Sequence, residues 1–316
     1  MVGPEPTPEF HDPSELETYW GRRWGAADEV GALRTVLMRR PSKGLADITA
    51  DAWDPRAGAL VDPAGRWYWR GAEPPDLERV DEQHAGLVAA LRAEQVEVVE
   101  APRYTTGYPK SVFTRDPLLT VPGGAVITRL APRMRRGEEA SVTKAVAELG
   151  MPILGTVVGH GLAEGGTFVK LRRDLAVFGL SIRCNTEGAR QLASLLEPLG
   201  IELTTITLPG YTIHVDGQFH MVAEDLALAN THRLPYEFLA RVEALGIKVI
   251  TPHPDEQSAC NSLTVRPRRL LFPAHCPRTA DRLTTDGVEV VPVAYDEILK
   301  NGGGIHCSTM ELVRDW

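Results

Sequence analysis

The sequence is short of whatever would mark a membrane, nucleic-acid or disulfide-stapled protein. Its 316 residues include 4 cysteines, Cys184, Cys260, Cys276 and Cys307, all widely separated. No Cys-x-x-Cys pair exists, which excludes a zinc ribbon and a dithiol redox motif. So sparse a set in so long a chain fits a reducing compartment. No apolar run approaches the roughly 20 residues of a membrane span, and residues 1–17 lack the basic-then-apolar pattern of a secretion signal. A soluble cytoplasmic protein is expected. Basic residues are outnumbered, 34 against 42 acidic, for a net charge of −8. Without a basic face, neither nucleic acid nor membrane is an expected partner. Self-association into a homo-oligomer is left open.

Glycine, by contrast, is concentrated in one place. Near the C-terminus the chain reads Asn301-Gly302-Gly303-Gly304-Ile305-His306-Cys307-Ser308-Thr309-Met310. Three successive glycines are costly in backbone entropy, and they make sense where backbone passes close to a ligand or a neighbouring strand. Cys307 alone reads most simply as a small buried hydrophobe. Were Ile305 to Met310 extended, His306 and Cys307 would point to opposite faces. A reactive Cys307 would then need its histidine from elsewhere.

The remainder of the chain is repetitive. Residues 1–25 form a Pro-rich arm whose aromatics pack on the body. Leu33 to Met38 reads as a buried strand, 41–75 as a long Trp-, Pro- and Gly-rich loop of the kind that forms lids, 81–93 as a helix and 96–99 as a strand. Then a unit of strand, strand, helix, strand recurs. Its copies are 112–114, 125–127, 141–149 and 152–157; then 167–169, 176–178, 186–196 and 201–206. Two more follow: 213–215, 226–228, 236–245 and 247–250; then 262–265, 270–272, 277–283 and 288–291. The period is about 45 to 55 residues, and such units share a core because none can bury its apolar face alone. Residues 33–99, completed by the C-terminal strand, supply a first, irregular copy. Five ββαβ modules result, and a circular arrangement would close them.

Polar residues recur near the first strand of the modules: Asp116 in Thr114-Arg115-Asp116-Pro117, Glu164 in Glu164-Gly165-Gly166-Thr167, His214 and Asp216 in His214-Val215-Asp216, and Cys307 before the closing strand. Each has a bland explanation by itself: a turn for Gly-Gly and Asp-Pro, a solvated face for His-x-Asp. Their recurrence at one place in successive repeats argues that they converge on a shared axis.

Taken together, Phe113-Thr114-Arg115-Asp116-Pro117, Glu164-Gly165-Gly166, His214-Val215-Asp216 and Gly302-Gly303-Gly304-Ile305-His306-Cys307 resemble the guanidine-modifying pentein superfamily. Its members include arginine deiminase, dimethylarginine dimethylaminohydrolase and arginine:glycine amidinotransferase. The resemblance covers nearly everything after about residue 30 and implies an α/β fold, a five-bladed α/β propeller over residues 26–316 within a single catalytic domain of residues 1–316. It implies Cys307 as nucleophile, His214 as general acid/base and Glu164 as the group orienting it. Asp116 and Asp216 would hold the guanidinium. Arg135 and Arg183 resemble the arginines that bind a substrate carboxylate, and Arg233, nineteen positions past His214, resembles one of the amidinotransferases. The subfamily signals are mixed. Lys110 and Arg115 stand where the dimethylarginine enzymes are acid-rich, and Asp216 stands where they carry Lys. The His-x-Asp motif looks like arginine deiminase, and the glycine run looks like amidinotransferases.

A guanidinium is planar and cationic, so carboxylates hold it bidentately. A Cys307 thiolate would attack its central carbon, giving a covalent amidino adduct. Water would then give a ureido product plus ammonia or amine; an amine acceptor would give amidino transfer. The leading expectation is a hydrolase of the guanidino group of arginine or a close relative, with amidinotransferase as the alternative. Neither branch needs a cofactor or metal; the expected partner is a small guanidino substrate. Two readings stand against these. One is a metal-dependent hydrolase using His160, Glu164, His214, Asp216 and His220, which lacks a spaced helical ligand motif. The other is a silent binding protein on the same scaffold.

Overall fold

The computed structural model describes residues 7–316, so the first six residues of the expected arm lie outside the described residues. Five three-stranded sheets follow one plan. An inner strand runs antiparallel to a middle strand, the chain then forms a helix, and an outer strand returns parallel to the middle one. The second module is Leu118–Val121, Gly124–Ile127, helix Glu138–Glu148 and Ile153–Thr156. The third is Phe168–Arg172, Leu175–Leu180, helix Thr186–Leu196 and Glu202–Thr207. The fourth is Phe219–Ala223, Leu226–Ala229, helix Tyr236–Ala244 and Lys248–Ile250. The fifth is Leu263–Arg266, Arg269–Pro273, helix Pro277–Thr285 and Glu289–Val293. The first uses both ends of the chain: Leu33–Arg39 pairs antiparallel with Met310–Arg314 and parallel with Glu97–Ala101, with helix Leu77–Ala93 between.

Burial explains the layering. Gly124–Ile127 and Leu226–Ala229 are apolar throughout and buried at every position, as strands covered on both faces must be. Ile153–Thr156 is exposed at both ends. Helices cover the middle and outer strands with one apolar stripe. In Thr186–Leu196, Asn185 caps the start by accepting from Gly188 N, and Ala189, Leu192 and Leu196 face inward at helical spacing. Inner strands of adjacent modules touch: Met310–Arg314 meets Leu118–Val121, and Phe219–Ala223 meets Leu263–Arg266.

Several expectations need correction. Residues 112–114 and 213–215 are irregular, and the inner strands begin later, at Leu118 and Phe219. The reason is hydrogen bonding. Just before each inner strand, the backbone bonds to the neighbouring module instead of its own sheet: Arg115 N donates to Cys307 O (3.1 Å), Gly165 N to Asp116 O (3.0 Å) and Asp216 N to Gly166 O (2.9 Å). Residues 305–308 likewise form a turn before the last strand. The 41–75 segment is not structureless: Trp53–Asp54, Ala59–Val61 and Tyr68–Arg70 make a small antiparallel sheet. Buried Trp67 and Trp69 anchor it. The arm contains a helix, Pro13–Trp20, and of its aromatics Trp24 is buried whereas Tyr19 is exposed. Among the described residues no helix is long and apolar enough to cross a membrane, and all four cysteines are free and buried.

Candidate active site

The loops preceding the inner strands bring Asp116, His214 and Cys307 to the wall of one cavity of about 120 Å³, together with Lys110, Arg135 and Arg183. Glu164 lies behind His214. His214 Nε2 donates to Glu164 Oε2 at 2.6 Å, and His214 Nδ1 is 3.6 Å from Asp116 Oδ1. Burial alone would lower the His214 pKa; the Asp116 and Glu164 carboxylates outweigh it and hold the imidazole above its ordinary value. Burial opposes ionisation of Asp116 too, but His214, Arg135 and Arg183 pull it down to about 2. Gly166 lets these groups meet. A Cβ there would fall 2.8 Å from both Asp116 Oδ1 and His214 Nδ1, so the Gly-Gly after Glu164 is a packing requirement as well as a turn.

Cys307 sits between an acid and an amide. Asn261 Nδ2 donates to its Sγ at 2.9 Å, Cys307 N donates to Asn261 Oδ1 at 3.2 Å, and Sγ is 3.3 Å from Asp216 Oδ2. Burial, then Asp216 and Asp116, push the thiol well above its ordinary pKa, with only Asn261 and a backbone N–H opposing. The surrounding acids thus favour the protonated form of both the thiol and the imidazole. A cation entering beside the sulfur would reverse the first of these. Asp216 Oδ1 is buried and has no hydrogen-bond donor, and Asp216 lines a second cavity that also reaches Cys307. His306 does not point away from Cys307, because the turn replaces the extended backbone: its Nδ1 is 2.9 Å from Asp216 Oδ2, the oxygen that Cys307 also contacts.

The three arginines differ from one another. Arg135 is neither surface charge nor available to a ligand carboxylate. It is buried, pairs with Asp116, donates to Glu138 Oε2 at 2.7 Å and to Phe113 O at 2.9 Å. Arg183 grips Glu164 with two bonds, Nε to Oε1 at 2.9 Å and Nη2 to Oε2 at 2.8 Å. Arg233 is exposed and lines the second, larger cavity that also reaches Asp216, Asn261 and Cys307. Arg115 turns into the core and pairs with Glu311. Lys110 lines the first cavity, its Nζ donating to Tyr68 O at 2.8 Å, and burial depresses its pKa strongly.

Sequence reasoning passed over Asn261 and Glu138, and set His306 aside as pointing away from Cys307. Asn261 was findable: it precedes the fifth inner strand as Asp216 precedes the fourth, so the repeat rule extends to it. Glu138 carried no signal beyond its spacing of three from Arg135. The metal reading narrows, since Asp116, Glu164 and His214 offer donor atoms within 4.8 Å of one another, without His160, Asp216 or His220. His160 is exposed, and His220 Nε2 is bonded to Thr264. A divalent ion among the three would compete with Arg135 and Arg183 for the same carboxylates.

A model of the family described as "N,N dimethylarginine dimethylhydrolase, eukaryotic" matches residues 72–314. Among curated relatives, the N(G),N(G)-dimethylarginine dimethylaminohydrolase of Streptomyces coelicolor is 31% identical over 279 residues, 88% of this chain and 97% of that protein. The enzyme of the same name from Pseudomonas aeruginosa is 28% identical over 236 residues, 75% of this chain and 89% of that protein. A solved structure of a mutant of the Pseudomonas aeruginosa enzyme complexed with citrulline superposes with a TM-score of 0.72 at 24% identity, covering 89% of this chain and 100% of that one.

Proposed function

Since the chain belongs to the N,N-dimethylarginine dimethylhydrolase family, within the guanidine-modifying pentein superfamily, we propose that it is a cysteine-dependent hydrolase of the guanidino group of arginine or an N-methylated arginine. We also read its five modules as the blades of a propeller around the cavity. The observation that carries the functional reading is the convergence of the Cys307 thiol, the His214 imidazole and the Asp116 carboxylate from separate modules on one cavity, with Asp216 against the sulfur.

The chemistry follows from the groups present. Asp116 and Asp216 offer acceptors to the planar N–H edges of a guanidinium, while Glu164, both of whose oxygens are taken by Arg183 and His214, holds the imidazole. The guanidinium's positive charge offsets the acids that hold the Cys307 thiol protonated. The proton leaves Sγ, for which Asp216 Oδ2 is an acceptor at 3.3 Å. Sulfur then bonds to the central carbon. His214, held charged, gives its proton to the departing nitrogen as the C–N bond breaks, leaving an amidino group on sulfur. The now neutral imidazole takes a proton from water. The resulting hydroxide bonds to carbon, the C–S bond breaks and sulfur recovers a proton. The products are a ureido compound and ammonia or a methylamine.

Transfer to an amine is the second reading, favoured by one observation: a second cavity opens onto Cys307 and could admit an acceptor. Incubating the protein with arginine, monomethylarginine and dimethylarginine, with and without ornithine or glycine, separates the two. Citrulline from at least one substrate without an acceptor is expected. A guanidino product formed only when an amine is present would overturn hydrolysis in favour of transfer.

A further inference from the structure

Of the two cavities that reach Cys307, the first is the smaller, about 120 Å³ against about 350 Å³. Lys110 lines it and is almost wholly buried. The tip of that side chain is held from three sides. Nζ donates to Tyr68 O at 2.8 Å and to Asn301 O, and it lies 3.3 Å from the centre of the Tyr68 ring. Both holding residues are themselves fixed. Tyr68 pairs with Val61 in the small sheet, and Asn301 Nδ2 donates to Pro109 O at 2.7 Å, one residue before the lysine. From there the wall runs to the thiol without slack. A Cβ on Gly302 would fall 2.6 Å from the Tyr68 hydroxyl, and one on Gly303 would fall 2.8 Å from the Phe113 ring and 2.9 Å from the Cys307 Cβ.

We infer that Lys110 is a specificity-determining residue that closes the end of the first cavity against N-methyl groups, so that the group taken is an unmethylated guanidino group. The inference rests on the guanidino reading and narrows it to arginine and other guanidines with bare terminal nitrogens. Such a nitrogen carries only hydrogens, whereas each methyl adds a carbon that needs space of its own. To make that space Lys110 would have to leave two buried carbonyls without their donor, and its amine would then face a methyl that neither donates nor accepts. A packed wall does not yield to an added methyl without cost. The sequence departs from the dimethylarginine enzymes at this place: Lys110 stands where they are acid-rich, and lysine reaches further than aspartate or glutamate. The small 53–70 sheet thereby gains a task, the placing of Tyr68 against the lysine.

The test uses the whole protein with Lys110 intact, Lys110→Ala and Lys110→Met. Both variants give up the amine and its bonds to two carbonyls, so a loss of stability moves them together, and only alanine empties the space. The first readout needs no guanidino turnover. It is alkylation of Cys307 by chloroacetamidine against its N,N-dimethyl homologue, each rate divided by that with free cysteine. The S–C bond forms, chloride leaves with its electron pair and the thiol proton goes to solvent. The second readout is the ratio of kcat/KM for arginine over dimethylarginine. With Lys110 intact, the unmethylated member of both pairs is expected to be preferred by about tenfold or more, the discrimination a close-fitting pocket draws from a single carbon. Alanine should lose that preference and methionine should keep it. Equal rates for the two reagents with Lys110 intact overturn the inference, even if neither variant folds. So does a preference that survives in folded Lys110→Ala, or one that methionine removes as fully as alanine. A reagent preference that alanine alone removes, in a protein that turns over no guanidine, keeps the role of Lys110 and removes the proposed function.

Discussion

Arg115 and Asp116 are adjacent and equally buried, yet they belong to two ionic clusters of opposite kind. Arg115 enters the core, where it pairs with Glu311 and donates to Thr309 O at 3.0 Å. Glu311 also meets Lys170 at 3.3 Å, Lys170 meets Glu29 at 3.4 Å, and Arg314 donates to Gly31 O and Thr264 O. Three cations face two carboxylates there, and backbone carbonyls take up part of the surplus, leaving Arg314 Nε without a partner. Asp116 faces the cavity and belongs with Glu138, Glu164 and Asp216 to a cluster that also holds Arg135, Arg183 and His214. Lys110 also lines that cavity, its Nζ donating to Tyr68 O, and burial pulls its pKa down. In the core cluster cations outnumber carboxylates; beside the cavity they do not, and Asp216 Oδ1 has no donor although the other oxygen of that carboxylate touches Cys307 Sγ. An acceptor left without a donor beside a thiol suits a site built to receive a guanidinium.

Substitutions that distinguish the clusters should therefore do different things. The largest effect is expected from Cys307→Ala in the cavity: turnover falls by about 10⁴-fold or more, since the proposed nucleophile has no substitute, while the melting temperature barely moves. Loss of stability in step with loss of turnover would mean that the cavity is as structural as the core. Next comes Glu311→Gln, which strands Arg115 and Lys170 without their shared carboxylate. Breaking a buried pair on one side costs about 3–5 kcal/mol, readable as a lowered denaturation midpoint. An unchanged midpoint would show that carbonyls alone satisfy those cations and would erase the contrast.

Asp216→Asn sharpens the contrast because two readouts should move in opposite directions. Asp216 helps hold the thiol pKa up. Removing its charge lowers that pKa, so alkylation by iodoacetamide at neutral pH should speed up. Turnover should nevertheless fall by about 10²-fold, the usual cost of losing one electrostatic contact to a reacting centre. Alkylation slowed by the substitution would contradict the assigned sign. In the unsubstituted protein the same logic predicts slow alkylation at pH 7, rising only as pH passes above the thiol's ordinary range.

The modules were readable from the chain because each repeats the same burial problem. An apolar middle strand, a capped amphipathic helix and a half-exposed outer strand leave a periodic trace, and the helix expected over 186–196 matches Thr186–Leu196. The inner strands were misplaced because the residues before them answer to a neighbouring module. Arg115, Gly165 and Asp216 spend their N–H groups across module boundaries, and local pattern does not record a partner some 50 or 190 positions away. For the same reason the convergence of Asp116, His214 and Cys307 could be argued from the repeat, but the pairing of Arg135 with Glu138 and Asp116 could not. The small 53–70 sheet escaped notice because strands of two or three residues carry no periodicity.

The smallest expected effect belongs to His306, which the alternation of an extended strand would turn away from Cys307. It acts through Asp216: Nδ1 binds the Oδ2 that also receives the thiol contact, and the ring stacks edge-on against His220 at 5.4 Å. That makes it a positioning residue, whose removal leaves Asp216 charged but free to rotate. His306→Gln keeps a donor near the carboxylate and should cost no more than about threefold in turnover, whereas His306→Ala should cost about tenfold, the equivalent of one ordinary hydrogen bond. The distinguishing readout is the pH dependence of Cys307 alkylation. If His306 fixes Asp216 beside the sulfur, alanine should move the thiol pKa back toward its ordinary value and glutamine should restore the original profile. Equal profiles for all three proteins would assign His306 to packing with His220 and leave Asp216 to hold its place unaided.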